Sequence, residues 1–108
     1  MGQIYFYRYV SEPEYRSIMA NRVIVSWTGR TYFTPDRYQS AAEAQRKLAL
    51  GDLPAYRIGP VPADELPDFD EVKLQTVRPD PILGLPGGGV EAATTQITSL
   101  FNPVRLEP

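Results

Sequence analysis

Three short segments carry the residue types that could do chemistry. In Tyr7-Arg8-Tyr9 a guanidinium stands among aromatic rings. Strand alternation alone would send Arg8 to solvent, opposite Tyr7 and Tyr9. Facing a cleft instead, it could grip an anion or an acidic partner through two parallel hydrogen bonds. In Arg30-Thr31-Tyr32-Phe33-Thr34-Pro35 the threonines could simply share one face of a half-buried strand. Alternatively, the Thr34 hydroxyl orients a nearby carboxylate, and Tyr32 or Phe33 offers a flat face for a ring. In Gly87-Gly88-Gly89-Val90-Glu91-Ala92 the glycines let backbone approach a ligand or take positive φ. Glu91, at the start of the following strand, is either a solvated glutamate or a strand-borne catalytic carboxylate beside a mobile loop.

The rest of the composition narrows the chemistry. Cysteine and histidine are both absent. That excludes disulfides, thiolate catalysis, Ser-His-Asp hydrolysis and cysteine- or histidine-ligated metal, so no metal site is expected. Catalysis would have to rest on Arg, Lys, Glu, Asp, Tyr, Ser or Thr. With 11 basic and 13 acidic residues the net charge is -2, which argues against a broad nucleic-acid surface. The charges are uneven, however. Arg8, Arg16, Arg22, Arg30, Arg37, Arg46 and Lys47 lie in the first half, and Asp64, Glu65, Asp68, Asp70 and Glu71 cluster after them. A basic face could still receive a small anion such as a dinucleotide pyrophosphate.

The elements that must position these groups read as follows. Ile4 to Val10 is aromatic and β-branched and predicts a strand. Ser11 caps a helix over Glu12 to Ala20, with Pro13 and Glu14 at favourable early positions and Tyr15, Ile18 and Met19 on its buried stripe. Asn21 ends it. Arg22 to Trp27 and Thr31 to Thr34 predict strands around a Thr28-Gly29 turn. Ser40 caps a second helix, Ala41 to Leu50, closed by Gly51. Ala55 to Ile58 is a strand, Gly59 to Asp70 a proline-rich acidic loop, and Glu71 to Val77 a strand with Val72, Leu74 and Thr76 on one face. Pro79 to Gly89 forms a long irregular connection of the kind that is often functional. Val90 to Thr95 is a strand, and Val104 to Leu106 another.

With 108 residues, 43% hydrophobic and 22% charged, the chain holds one core, and residues 1-108 read as one domain. Two short helices in the N-terminal half, with strands before and after, predict an α+β fold. Its mostly antiparallel sheet should be split or bent. No apolar run approaches the roughly 20 residues of a membrane span, and the N-terminus shows no secretion signal.

The order of the three motifs carries a resemblance. An arginine on the first strand, a hydroxyl closing Tyr-Phe-Thr on a middle strand and a glutamate after a glycine-rich loop resemble the Arg-Ser-Glu branch of the ADP-ribosyltransferase fold. Tyr7-Arg8-Tyr9-Val10-Ser11-Glu12-Pro13-Glu14-Tyr15-Arg16-Ser17-Ile18 also looks like the start of C-terminal toxin domains of bacterial polymorphic toxins. The resemblance runs from Tyr7 to about Thr95. It implies an ADP-ribosyltransferase-like fold with NAD as substrate. Arg8 would bind the NAD phosphates, Thr34 would hold Glu91, and Glu91 would stabilise the oxocarbenium-like transition state as nicotinamide leaves. Tyr32 and Phe33 could stack on the nicotinamide. Thr34 stands where the branch usually has serine. Gly89 stands two positions before the glutamate, where arginine-modifying members have Glu or Gln.

The resemblance further implies a macromolecular acceptor, protein or RNA, in a target bacterium. It implies delivery into that cell's cytoplasm by a larger secreted protein, and a cognate immunity protein covering Arg8, Tyr32 and Glu91. No membrane partner is expected. The residues leave two other readings open. One is a histidine-free toxin ribonuclease working with Arg, Lys, Tyr and Thr. The other is a non-catalytic interaction module using the acidic stretch from Gly59 to Glu71, whose charge could steer a basic partner.

Overall fold

A computed structural model describes residues 5–21, 31–63, 74–94 and 103–107. Within them the order is β1 (Tyr5–Val10), α1 (Glu12–Asn21), β2 (Thr31–Phe33), α2 (Ala41–Leu48), β3 (Tyr56–Pro62), β4 (Gln75–Thr76), β5 (Val90–Thr94) and β6 (Pro103–Arg105). The strands form two three-stranded sheets, ordered β1-β3-β6 and β2-β5-β4. All their pairings are antiparallel. This is an α+β fold with the sheet split in two. The sheets are joined where Tyr7 and Thr34 exchange backbone hydrogen bonds of 2.7 and 2.8 Å. Among the described residues no helix is long and apolar enough to cross a membrane.

The core lies between the sheets. Phe6 and Val10 of β1 and Ile58 and Val61 of β3 pack with Phe33 of β2 and Ala92 of β5. A second cluster, Tyr9, Tyr38 and Ala44 with Tyr7, Leu48 and Leu50 against it, seats α2. β1 does not alternate strictly, because its register with β3 shifts between Phe6 and Arg8. Opposite the shift sits Gly59 at φ 129°, where a Cβ would lie 2.6 Å from the Phe6 carbonyl oxygen. Only glycine allows backbone that close.

Both helices start as their caps dictate. Glu14 N–H donates to Ser11 Oγ at 3.4 Å, and Glu43 N–H donates to Ser40 Oγ at 3.2 Å. The Glu43 carboxylate in turn accepts the Gln39 N–H at 3.0 Å. Tyr15 stacks on Tyr56 of β3 with ring centroids 3.8 Å apart, which ties α1 to the first sheet. Tyr15 and Ile18 are partly buried against the core, but Met19 is exposed, contrary to the expected stripe. One residue is about 100° of helix turn, so Ile18 and Met19 do not share the narrow contact edge.

Four further boundaries differ from expectation. α2 ends at Leu48 on Ala49 in the left-handed region, φ 50°, whose N–H donates to the Gln45 carbonyl, and not at Gly51. β3 runs on through Gly59-Pro60-Val61-Pro62, which the prolines mark as loop. β6 covers only Tyr56, Arg57 and Ile58 of β3, so among the described residues no strand takes the second edge of the proline half, and no N–H is called for there. In the β4 region Leu74 and Thr76 are exposed and Val77 is the buried residue. Residues 77–89 are hydrogen-bonded backbone, not a loose connection. Asp80 and Leu85 exchange bonds of 2.8 and 2.9 Å. The N–H groups of Gly87 and Gly89 donate to the carbonyls of Arg46 and Lys47, both at 2.9 Å. The expected strand over Arg22 to Trp27, and most of the acidic stretch, lie outside the described residues.

Candidate functional site

Arg8 does not project freely into solvent. Its side chain is only 13% exposed and pairs with Glu14 from the first turn of α1. Nε and one terminal nitrogen donate to Glu14 Oε2 at 2.9 and 2.5 Å. The other terminal nitrogen donates to the Tyr32 carbonyl at 2.9 Å. The guanidinium is therefore fixed against β2, in the other sheet. It keeps N–H donors beyond these contacts, because a guanidinium has more of them than these bonds use.

Thr34 is buried where β2 meets β1. Its Oγ1 accepts the Asp36 N–H at 3.1 Å, which turns the chain out of the strand. A hydroxyl that accepts in this way still has a proton to give. The turn is braced from behind. Tyr9 Oη donates to the Asp36 carbonyl at 3.1 Å and accepts the Tyr38 N–H at 2.6 Å. Burial and then the nearby Asp36 carboxylate push the Tyr38 phenol up to about 12. Burial likewise raises Tyr9. Both phenols are therefore protonated at neutral pH and act as braces.

Glu91 stands on β5 directly opposite Gln75 of β4. The Gln75 side-chain N–H donates to Glu91 Oε1 at 3.4 Å. Burial raises the Glu91 carboxyl above its ordinary value of 4.5, and the Gln75 bond pulls the other way. A half-buried carboxylate with one weak partner among the described residues keeps lone pairs for a ligand.

These residues meet. A cavity of about 50 Å³ is lined by Arg8, Tyr32, Phe33, Thr34 and Glu91, with Tyr7, Tyr9, Leu48 and Leu50 completing it. Phe33 belongs to the core and is almost fully buried, whereas Tyr32 is 41% exposed, so Tyr32 presents the accessible ring. The cavity lies between two larger concavities. Through Glu91 and Leu48 it adjoins an open groove of about 430 Å³, which Gln75, Arg78 and Asp80 also line. Through Tyr9 and Leu50 it adjoins a hollow of about 190 Å³ beside Ser11, Glu14 and Asp52. The short segment from Leu48 to Gly51 touches all three.

Sequence reasoning missed Glu14 and Gln75. Glu14 reads as an acid suited to a helix N-terminus, and nothing in the sequence shows that the turn from β1 into α1 folds it back onto Arg8. Gln75 faces Glu91 only through the strand register. No known family, no characterised protein and no solved structure matches this chain.

Proposed function

We propose that this domain is an NAD-dependent ADP-ribosyltransferase of the toxin type. One observation carries the reading: Arg8, Tyr32 and Glu91, from three strands in two sheets, and Thr34, directly after β2, line one cavity. Their order along the chain is that of the resemblance to the Arg-Ser-Glu branch, and a split sheet suits such a fold.

In this reading NAD lies across Arg8, with its phosphates on the donors that Glu14 and Tyr32 leave open. Its nicotinamide end enters the cavity between Tyr32 and Glu91, and its other end lies in the hollow beside Ser11. The cavity, at about 50 Å³, has room for only a few waters, each needing roughly 10–15 Å³ of such space. A ring therefore enters by turning aside the exposed Tyr32 side chain, which then stacks on it. The glycosidic C–N bond breaks and nicotinamide leaves with the bonding electrons. Positive charge grows on the ribose, and the fixed Glu91 carboxylate in its half-buried setting lowers the energy of that charge. The acceptor nucleophile forms the new bond to the same carbon and gives its proton to solvent. The acceptor reaches that carbon from the open groove on the other side of Glu91.

A binding isotherm tests the donor half. The wild type should bind NAD, and Arg8→Lys should weaken binding about tenfold, because an ammonium cannot offer the planar fork. Absence of NAD binding by the folded wild type contradicts the reading.

A further inference from the structure

Arg8 meets Glu14 through a single oxygen. Nε and one terminal nitrogen both donate to Oε2, at 2.9 and 2.5 Å. A guanidinium pairs best when two oxygens face two nitrogens, so this edge of Arg8 is covered but not matched. The other two-nitrogen edge includes the nitrogen that donates to the Tyr32 carbonyl at 2.9 Å. That bond runs to β2 and holds the guanidinium in place without Glu14. The Glu14 side chain is 33% exposed and already lines the hollow of about 190 Å³, which Ser11, Gly51 and Asp52 also line. It belongs to the first turn of α1, and its own N–H donates to Ser11 Oγ at 3.4 Å. The carboxylate can therefore turn into the hollow while the helix stays capped, and the helix N-terminus favours its charge in either place. The hollow then holds two acids, Glu14 and Asp52, beside the freed edge of Arg8.

We propose that Glu14 is a specificity-determining residue, which guards the Arg8 edge against bare anions and yields it to a phosphate joined to sugar hydroxyls. The inference rests on the reading of Arg8 as the phosphate anchor. A phosphate first meets the donors left open, then takes the side edge with two oxygens where Glu14 used one. For a bare anion this exchange leaves the displaced carboxylate, together with Asp52, beside the new negative charge. A nucleotide brings sugar hydroxyls that donate to these carboxylates, which offsets the repulsion. The ligand class is thus a nucleoside diphosphate and not an inorganic phosphate.

The test is calorimetric titration of the whole chain with two probes, ADP-ribose and inorganic pyrophosphate. The wild type should bind ADP-ribose at least about tenfold more tightly than pyrophosphate. Glu14→Gln should bind pyrophosphate about fivefold more tightly than the wild type does, the scale of a partly exposed ion pair. It should gain less for ADP-ribose, so that the discrimination narrows. The control Glu12→Gln removes an acid from the same turn, one that pairs with Arg16 and Arg105 and not with Arg8, and should leave both affinities unchanged. Thermal melts show that each variant is folded. Pyrophosphate binding by Glu14→Gln that matches the wild type, an equal gain for both probes, or the same gain in Glu12→Gln overturns the inference. A wild type that binds neither probe overturns it as well. Nicotinamide release from NAD is measured separately. The expected Glu14 effect without release leaves this inference standing and removes the transferase reading. Release without the Glu14 effect does the reverse.

Discussion

Arg8 is held by a carboxylate from the next helix and a carbonyl from the other sheet, so it joins three elements before it meets any ligand. Arg8→Ala should lower unfolding stability by about 1 to 2 kcal/mol, since Glu14 and the Tyr32 carbonyl lose their donor while water reaches part of the pair. A double-mutant cycle with Glu14→Ala, read by denaturant unfolding, should show a coupling of about 1 kcal/mol. Glu91 gives a pH prediction. Its carboxyl is raised above 4.5 and must be ionised to stabilise a cation, so activity should fall as pH drops through that raised value. Gln75→Leu removes the bond that favours the charge and should move the acid limb to higher pH. The sign for stability is opposite. Between pH 4.5 and the raised value the folded state holds more protons than the unfolded one, so stability falls as pH rises. Glu91→Gln should therefore melt above the wild type at neutral pH, with no difference below pH 4.5. At this scale the sequence exposed Arg8, Thr34 and Glu91, because a charge in an aromatic strand and an acid after three glycines stand out by type. It hid Glu14 and Gln75, which matter only through where the chain turns and how two strands align.

The elements follow local rules where caps and β-branched runs are strong, as at Ser11, Ser40 and β1. They depart from those rules where tertiary contacts decide. Gly59-Pro60-Val61-Pro62 has loop composition yet extends β3, because among the described residues only β1 pairs with it there. Gly51 has the helix-stop signal, but Ala49 takes the left-handed turn and brings both Leu48 and Leu50 to the cavity. The glycine triplet reads as a mobile loop and is instead laced between α2 and Val77. Gly87, at φ 68°, has two carbonyl oxygens within 2.8 Å of where a Cβ would stand. Gly87→Ala should cost about 2 kcal/mol or more through strain and lost packing of that lacing. A thermal melt would show it, and an unchanged melt would mean that the loop can be repositioned freely.

For the whole molecule, the split sheet makes core and site inseparable. Phe33 packs with Phe6, Val10, Ile58 and Val61 and also lines the cavity. Phe33→Ala should cost roughly 3 to 5 kcal/mol, a large part of the 5–15 kcal/mol typical of a domain. Both sheets should be lost in one transition, seen as coincident near- and far-ultraviolet melts. The α+β class and one core were legible from length, composition and element order. The division of the strands between two sheets was not, because it depends on the Tyr7–Thr34 junction and on the shifted register beside Gly59. That junction is what brings Arg8 and Glu91 to one cavity, and the proposed activity needs both. The most direct measurement is nicotinamide release from NAD by the purified chain and by Glu91→Gln, each shown to be folded by its melt. With Glu91 as the catalytic carboxylate, the wild type releases nicotinamide and the variant loses at least about a hundredfold in rate. Equal rates in the two proteins, or no release by the wild type, would contradict that role.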